Sequence, residues 1–294
     1  MPTEPATQPI TWTVKALLQW TTEFLKKKGV ESPRLESQIL LAHVMDCPKI
    51  ELVARSNEEP TEVERARFKD LIRQRTEGWP VAYLVGKREF YLLSFEVTPA
   101  VLIPRPDTET LVLEALRLLK GRANPAVLDL GTGSGCIAIS IAHQAKTTRV
   151  TAVDVSPDAL GVAKRNASTH GVQDRVTFAL GDLFAPLPEG SQFELIVSNP
   201  PYVTPGELAE LAPEVRDHEP RIALDGGPDG LAFYRRIATD ASRFLKPGGT
   251  VLVEIGVSQE DAVQGIFAAR SELTVNPTIK DLAGRPRVIS ARRT

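Results

Sequence analysis

Residues 126–136 read Ala-Val-Leu-Asp-Leu-Gly-Thr-Gly-Ser-Gly-Cys. A short apolar run is followed by glycines at 131, 133 and 135, and the apolar spacing then becomes helical through Ala145. Strand, glycine-rich turn and helix in that order make a βα unit whose turn exposes the free N–H groups of a helix N-terminus. A dinucleotide fingerprint, Gly-x-Gly-x-x-Gly, would put its third glycine at 136, where the chain has Cys136. The Gly-x-Gly-x-Gly spacing suits a nucleoside ligand without a pyrophosphate, whose amino-acid end lies against Gly131, Thr132, Gly133, Ser134 and Gly135. NAD is the main competing ligand, and the glycine spacing counts against it. Asp154, at the end of the next strand, is placed to accept from ribose hydroxyls. Asp182, after the third strand, can accept from an adenine amino group, with Leu183 packing on the ring.

Outward from this turn the pattern repeats. Strands are expected at 149–154, 176–180, 193–198 and 250–255, and helices at 157–170, 231–245 and 259–270. The tail to Arg292 reads as a final strand pair. Continuous apolar strands alternating with helices imply an α/β domain with a parallel sheet covered on both faces. Upstream, residues 108–119 are helical. Leu93, Phe95 and Val97 alternate with polar residues and pair with 88–91 as a short hairpin. The first 80 or so residues are helical: Val14, Leu17, Leu18, Phe24 and Leu25 share a face before Gly29, residues 35–46 form a second helix, and Thr61 with Glu64 forms a capping box opening a third. The domain expectation is therefore residues 1–85 helical, 86–107 a linker with a hairpin, and 108–294 the α/β domain.

Ser198-Asn199-Pro200-Pro201-Tyr202 follows the strand ending at 198, at the same sheet edge as the glycine turn. Each proline fixes φ and removes an N–H, and each residue before a proline is held extended. The loop is thus rigid and rich in carbonyl acceptors, to which Asn199 adds a side-chain oxygen. Two acceptors at fixed spacing suit a planar NH₂ group, and Tyr202 can stack over it. Such a group is a poor nucleophile because its lone pair is delocalised. Acceptors on its hydrogens raise density on nitrogen and aim it, and orientation can supply roughly 7–11 kcal/mol. No histidine lies in the tetrad to take the released proton, so water or a relay is expected to carry it.

Net charge is −2, with 35 Lys and Arg against 37 Asp and Glu, which disfavours a duplex-DNA binder and predicts no direct nucleic-acid partner. Two cysteines, Cys47 and Cys136, have neither zinc-ligand nor disulfide spacing, so no metal site is expected and a reducing, cytoplasmic compartment fits. The first 15 residues read as a frayed start rather than a signal peptide, and no apolar run is long enough to span a bilayer. Residues 203–230, with four prolines, read as a lid over the substrate. Within it His218 reads as an ordinary surface side chain. Cys136 reads as a packing residue, and Lys26-Lys27-Lys28 as a solvated helix end.

The ordered set Ile103-Pro104-Arg105-Pro106-Asp107-Thr108-Glu109, Asp129 to Gly135, Asp154, Asn199-Pro200-Pro201-Tyr202, Glu219-Pro220-Arg221, Ala223 to Gly227, Glu254-Ile255-Gly256 and Asp281 to Arg285 resembles the HemK-type glutamine methyltransferases that modify peptide chain release factors. The resemblance runs from about residue 90 to the end. Asp107 stands where many members have Glu, and Leu183 where some have Trp. The resemblance implies a Rossmann-like, seven-stranded class I S-adenosylmethionine-dependent methyltransferase domain with its last strand antiparallel, and a small helical N-terminal domain that helps grip the substrate. It implies methyl transfer from S-adenosylmethionine, leaving S-adenosylhomocysteine, to the N5 amide of the glutamine in a Gly-Gly-Gln loop. Asn199 and the Pro200 carbonyl would hold that amide, with Pro201 and Tyr202 completing the site. Gly131 to Gly135, Asp154, Asp182, Leu183 and Asn199 would line the cofactor cleft. A monomer is expected. A ribosomal-protein glutamine methyltransferase is the near alternative. An adenine-N6 DNA methyltransferase, sharing the tetrad, and a non-catalytic adaptor are more distant.

Overall fold

The computed structural model describes residues 11–294. Most of the stretch read as a frayed start, residues 1–10, lies outside them. The chain divides into two compact units, residues 1–85 and 86–294.

The first unit packs α1 (Val14–Lys27), α2 (Pro33–Val44), α3 (Glu51–Ala54), α4 (Glu62–Thr76) and α5 (Val81–Val85). The Thr13 hydroxyl caps α1 by accepting from Ala16 N, and Thr61 and Glu64 form the expected reciprocal box on α4. Each cap is worth about 1 kcal/mol. Val14, Leu17 and Leu25 of α1 meet Leu40, Leu41 and Val44 of α2 and Phe68 and Ile72 of α4. Arg75 of α4 donates to Glu36 of α2 at 2.6 Å, a charge pair at the edge of this core.

The second unit opens with a hairpin, β1 (Lys87–Phe90) and β2 (Leu93–Glu96), joined by Tyr91-Leu92. Both loop residues have positive φ, 47° and 64°, as the tight two-residue turn that matches strand twist requires. Neither is Gly or Asn. Glu109 compensates by accepting the Tyr91 N–H at 3.0 Å. The 3₁₀ turn Pro106–Thr108 leads into α6 (Glu109–Leu119). There follow β3 (Ala126–Leu130), α7 (Cys136–Gln144), β4 (Arg149–Asp154), α8 (Pro157–Thr169), β5 (Val176–Leu180) and β6 (Phe193–Ser198). After them come α9 (Pro205–Glu210), α10 (Pro213–His218), α11 (Ala232–Phe244), β7 (Leu245–Glu254), α12 (Glu260–Ala268), β8 (Leu273–Val275), β9 (Ile279–Lys280) and β10 (Pro286–Arg293).

The sheet order is β5-β4-β3-β6-β7-β10-β8, with β9 pairing on β10. Neighbours from β5 to β7 are parallel, and β10 is antiparallel to both β7 and β8. Strand residues alternate between two cores, as the period of two demands. Val127, Val150, Val197 and Leu252 face α6 and α7. Leu128, Leu130, Ile196 and Val253 face α11 and α12, where Tyr234, Ile237 and Phe267 are fully buried. The chain runs outward from β3 through β4 to β5, then returns to β6 on the other side of β3. That reversal opens a crevice at the carboxyl ends of β3, β4 and β6, where ligands bind in such sheets.

Three expectations are revised. Residues 203–230 are not one long loop but carry α9 and α10, each of six residues. β7 begins at Leu245 rather than at 250, its pairing with β6 passing through an irregularity between Phe193 and Leu195. The tail forms three short strands, because β9 adds two residues to the edge of β10.

Candidate active site

Gly131, Gly133 and Gly135 have φ of 71°, 55° and 81°. At Gly135 an added Cβ would lie 2.7 Å from Ile139 Cδ1 and 3.2 Å from Ala163 Cβ, so this glycine lets α7 approach α8. At Gly131 and Gly133 it would meet nothing within 4 Å. These two leave the turn bare on the side that borders the cleft. Thr132 and Ser134 turn inward. The Thr132 hydroxyl donates to Asp129 Oδ2 at 2.6 Å, bracing the turn from below. Burial pushes the Asp129 carboxyl up to about 7. Of the five turn residues expected at the ligand, Gly131 and Gly133 border the cleft. Cys136 is buried and its thiol is pushed up to about 12 by burial, in keeping with a packing residue.

Asp154 closes the same end of the cleft. Its Oδ2 accepts from Gly133 N at 2.8 Å and its Oδ1 from Ser156 N at 2.9 Å. A carboxylate has about four acceptor positions, so both oxygens keep capacity for hydroxyl donors. Asp182 and Leu183 line the same cleft. Asp182 accepts from Arg236 of α11 at 2.6 Å, a half-exposed pair that steers the carboxylate and adds little stability. Leu183 has φ of 50°, a conformation costing a non-glycine roughly 1–2 kcal/mol. Strain of this kind gathers at ligand sites. Ile222, exposed on the protein surface, and Ala159 supply further apolar wall.

Asn199, Pro200 and Pro201 border this cleft as well. The loop starts from a fixed point, since the Ser198 hydroxyl donates to Leu130 O at 2.8 Å across the β6 and β3 ends. Asn199 Nδ2 donates to the Thr108 hydroxyl at 3.2 Å. Tyr202 packs, partly buried, against the edge of the α11 core, and burial pushes its phenol up to about 12. Its carbonyl accepts from Gln259 Nε2 at 3.1 Å, while Gln259 Oε1 accepts from Gly256 N at 3.0 Å. Gly226 lies against the tetrad: a Cβ there would stand 2.6 Å from Tyr202 Cα.

Several framing residues carry no local signal of their role. Glu219, almost wholly buried, accepts from Arg105 at 2.6 Å and from Ile103 N at 3.2 Å. It ties the end of the α9–α10 segment to the strap before α6. Arg287 of β10, also buried, reaches Asp107 at 2.9 Å and Asp281 at 3.5 Å. Asn166 of α8 donates to Ser134 O at 2.9 Å and accepts from Glu96 N at 2.7 Å, joining the glycine turn to the hairpin. The Glu219-Pro220-Arg221 and Asp281-Leu282-Ala283-Gly284-Arg285 landmarks flag Glu219 and Asp281, but nothing in a single sequence names their partners.

The lining suits a nucleoside with an amino-acid tail. A carboxylate stands where ribose hydroxyls would lie, a bare glycine turn can meet polar tail atoms, and Leu183 with Ile222 offers apolar surface for a base. Among the described residues no cluster of His, Cys, Asp and Glu is assembled that could hold a metal ion, and no helix is long and apolar enough to cross a membrane.

Residues 16–86 match the family model of the PrmC N-terminal domain, and residues 105–214 that of the methyltransferase small domain. The chain is 46% identical to the release factor glutamine methyltransferase of Rhodopirellula baltica over 96% of its own length and 97% of that protein. It is 44% identical to the enzyme of the same name from Geobacter sulfurreducens, over 97% of its own length and 98% of that protein. A solved methyltransferase structure from Pyrococcus furiosus superposes with a TM-score of 0.52 at 18% identity, over 79% of this chain and 98% of that one. That likeness shows a shared methyltransferase fold.

Proposed function

The chain belongs to the release factor glutamine methyltransferase family, and on that premise we propose that it transfers a methyl group from S-adenosylmethionine to the N5 amide of the glutamine in the Gly-Gly-Gln loop of a peptide chain release factor. One observation carries this reading: the acceptor-rich loop Asn199-Pro200-Pro201 and the ligand-facing residues Gly131, Gly133 and Asp154 border one cleft. Donor and acceptor would therefore meet without a conformational rearrangement of the sheet.

When bound, the cofactor supplies an electrophilic methyl group on a sulfonium. The protein supplies position and electrostatics. Asp154 would accept from the ribose hydroxyls, Gly131 and Gly133 would lie against the amino-acid tail, and Leu183 would pack on the base beside Asp182. Asn199 Oδ1 and the Pro200 carbonyl would accept the two amide hydrogens of the target glutamine. This raises electron density on its nitrogen and holds it in line with the methyl. Pro201 stiffens the loop. Tyr202 would pack against the amide, its backbone carbonyl held by Gln259. Among the residues bordering the cleft no histidine stands by to take the proton, so it passes to water.

The helical unit 1–85 is read as the part that grips the protein substrate, with residues 86–107 leading into the catalytic domain. The enzyme acts as a monomer in the cytoplasm without direct contact to nucleic acid. The unpaired thiols Cys47 and Cys136 support the compartment, and the near-neutral charge supports the lack of a nucleic-acid partner.

The test is incubation of the full chain with methyl-labelled S-adenosylmethionine and a bacterial release factor, beside the same factor with its Gly-Gly-Gln glutamine changed to Ala. Label only in the first is expected. Label in neither, with label in a ribosomal protein or in DNA, would overturn the substrate assignment and leave the cofactor reading intact.

A further inference from the structure

Glu254, the last residue of β7, is buried to 1% exposure and sits behind the tetrad. The nearby Thr108 hydroxyl favours its charged form, and its Oε2, buried, has no hydrogen-bond partner. Thr108 is equally buried and accepts from Asn199 Nδ2. A chain of three side chains thus runs from the interior to the cleft: carboxyl, hydroxyl, amide.

We infer that Glu254 is a positioning residue which, through the Thr108 hydroxyl, determines which end of the Asn199 amide faces the acceptor glutamine. The inference rests on the function proposed above. A side-chain amide is nearly symmetric in shape, so only its hydrogen-bond network distinguishes the oxygen end from the NH₂ end. An ionised carboxylate can only accept. Facing one, the Thr108 hydroxyl must give its proton to Glu254, and its oxygen is then left to accept from Asn199. The Asn199 NH₂ is drawn to Thr108 and Oδ1 is delivered to the cleft, where it can accept from the glutamine NH₂. Protonation of Glu254 reverses the chain. The neutral carboxyl can donate to Thr108, the hydroxyl can then donate to Asn199, and the amide turns to present NH₂ against NH₂.

The surroundings of Glu254 place this reversal within reach of ordinary pH. Burial pushes its carboxyl up to about 7, against Thr108 and the cations Arg287 and Arg105, which favour the charged form. Asp107, on the turn before α6, opposes it. The other titratable groups that sense it are Tyr202, Tyr234 of α11 and Cys136 of α7. All three stay neutral in that range. Asp129, also raised to about 7, lies at the glycine turn and stays titratable when Glu254 is replaced.

The test uses the full chain and reads the side-chain amide resonance of Asn199, identified by its loss in Asn199→Ala. In the wild type this resonance should move with pH, with a midpoint near 7. In Glu254→Gln and in Thr108→Val it should not move over that range, and in Thr108→Ser the titration should return. In parallel, kcat for release-factor methylation should rise with pH in the wild type. It should fall about tenfold at pH 8 in Glu254→Gln and Thr108→Val, with cofactor affinity within twofold of the wild type, and recover in Thr108→Ser. An Asn199 resonance that titrates in Glu254→Gln as it does in the wild type would overturn the inference, as would full kcat in Thr108→Val. A wild type that labels no release factor, while its Asn199 resonance still follows Glu254, would sink the substrate reading and leave the positioning role standing.

Discussion

Gly133 donates its backbone N–H to Asp154 Oδ2 at 2.8 Å, so the glycine turn and the acid at the end of the neighbouring strand are one unit. The bond fixes the carboxylate in the crevice at the switch point, facing the place where a ribose would lie. It also couples the two halves of the proposed cofactor site, because moving the acid relaxes the turn.

Asp154→Ala is therefore expected to weaken cofactor binding by about 10- to 100-fold, the loss of one or two charge-assisted hydrogen bonds. Titration calorimetry with S-adenosylmethionine checks this, and affinity within twofold of the wild type would remove Asp154 from the site.

Asn199→Ala should lower kcat by about 100-fold while cofactor affinity changes less than threefold. The estimate follows from losing one preorganised electrostatic contact to the reacting group. Equal losses in both quantities would point to collapse of the loop instead.

Gly226→Ala introduces a Cβ 2.6 Å from Tyr202 Cα and 2.8 Å from its carbonyl carbon. The backbone of the tetrad must move, and a displacement near 1 Å can cost roughly 100-fold in rate. Single-turnover kinetics should show that loss with cofactor binding retained. Unchanged turnover would mean that the tetrad tolerates a shift.

Glu219→Ala leaves the Ile103 N–H and the Arg105 guanidinium without their acceptor. Arg105 is about one-third exposed, so water recovers part of the loss and a destabilisation of about 2 kcal/mol is expected. Chemical denaturation measures it. Limited proteolysis should in addition cut faster between residues 205 and 223 than in the wild type.

Stability should fall as pH rises through neutrality. Burial lifts the Glu254 carboxyl from 4.5 to about 7, so its contribution is fully present below 4.5 and is lost as pH passes 7. Over that window one such group costs at most about 3 kcal/mol. Glu254→Gln should flatten the decline in melting temperature between pH 5 and 8.5, leaving the part due to Asp129. A steeper decline would reverse the assigned direction of the shift.

Strands β3, β4, β5 and β6 occupy the residues their apolar runs predict, and for β3 and β6, buried along nearly their whole length, burial on both faces writes the length directly into composition. The short helices α9 and α10 escape notice because six residues do not complete two turns, too few for a period of 3.6 to register. Their one local sign is the Thr204, Pro205 and Glu207 cap, which the structure uses in full. The Tyr91-Leu92 turn is illegible for a different reason. Its positive φ values contradict the preference of both residues and are held by Glu109, 18 positions away.

What the sequence determined by itself is the chemistry that depends on near neighbours: a glycine turn between strand and helix, an acid at the next strand end, and a proline-stiffened row of acceptors. These follow from backbone dihedrals and spacings of a few residues. The tertiary structure alone decided how that chemistry is aimed. Thr108 meets Asn199 across 91 positions, Arg105 meets Glu219 across 114, and Gln259 holds Tyr202 across 57. Such pairs exist only where folding has brought distant elements together in the interior. There a buried polar group must find a partner, and sequence distance places no constraint on which one.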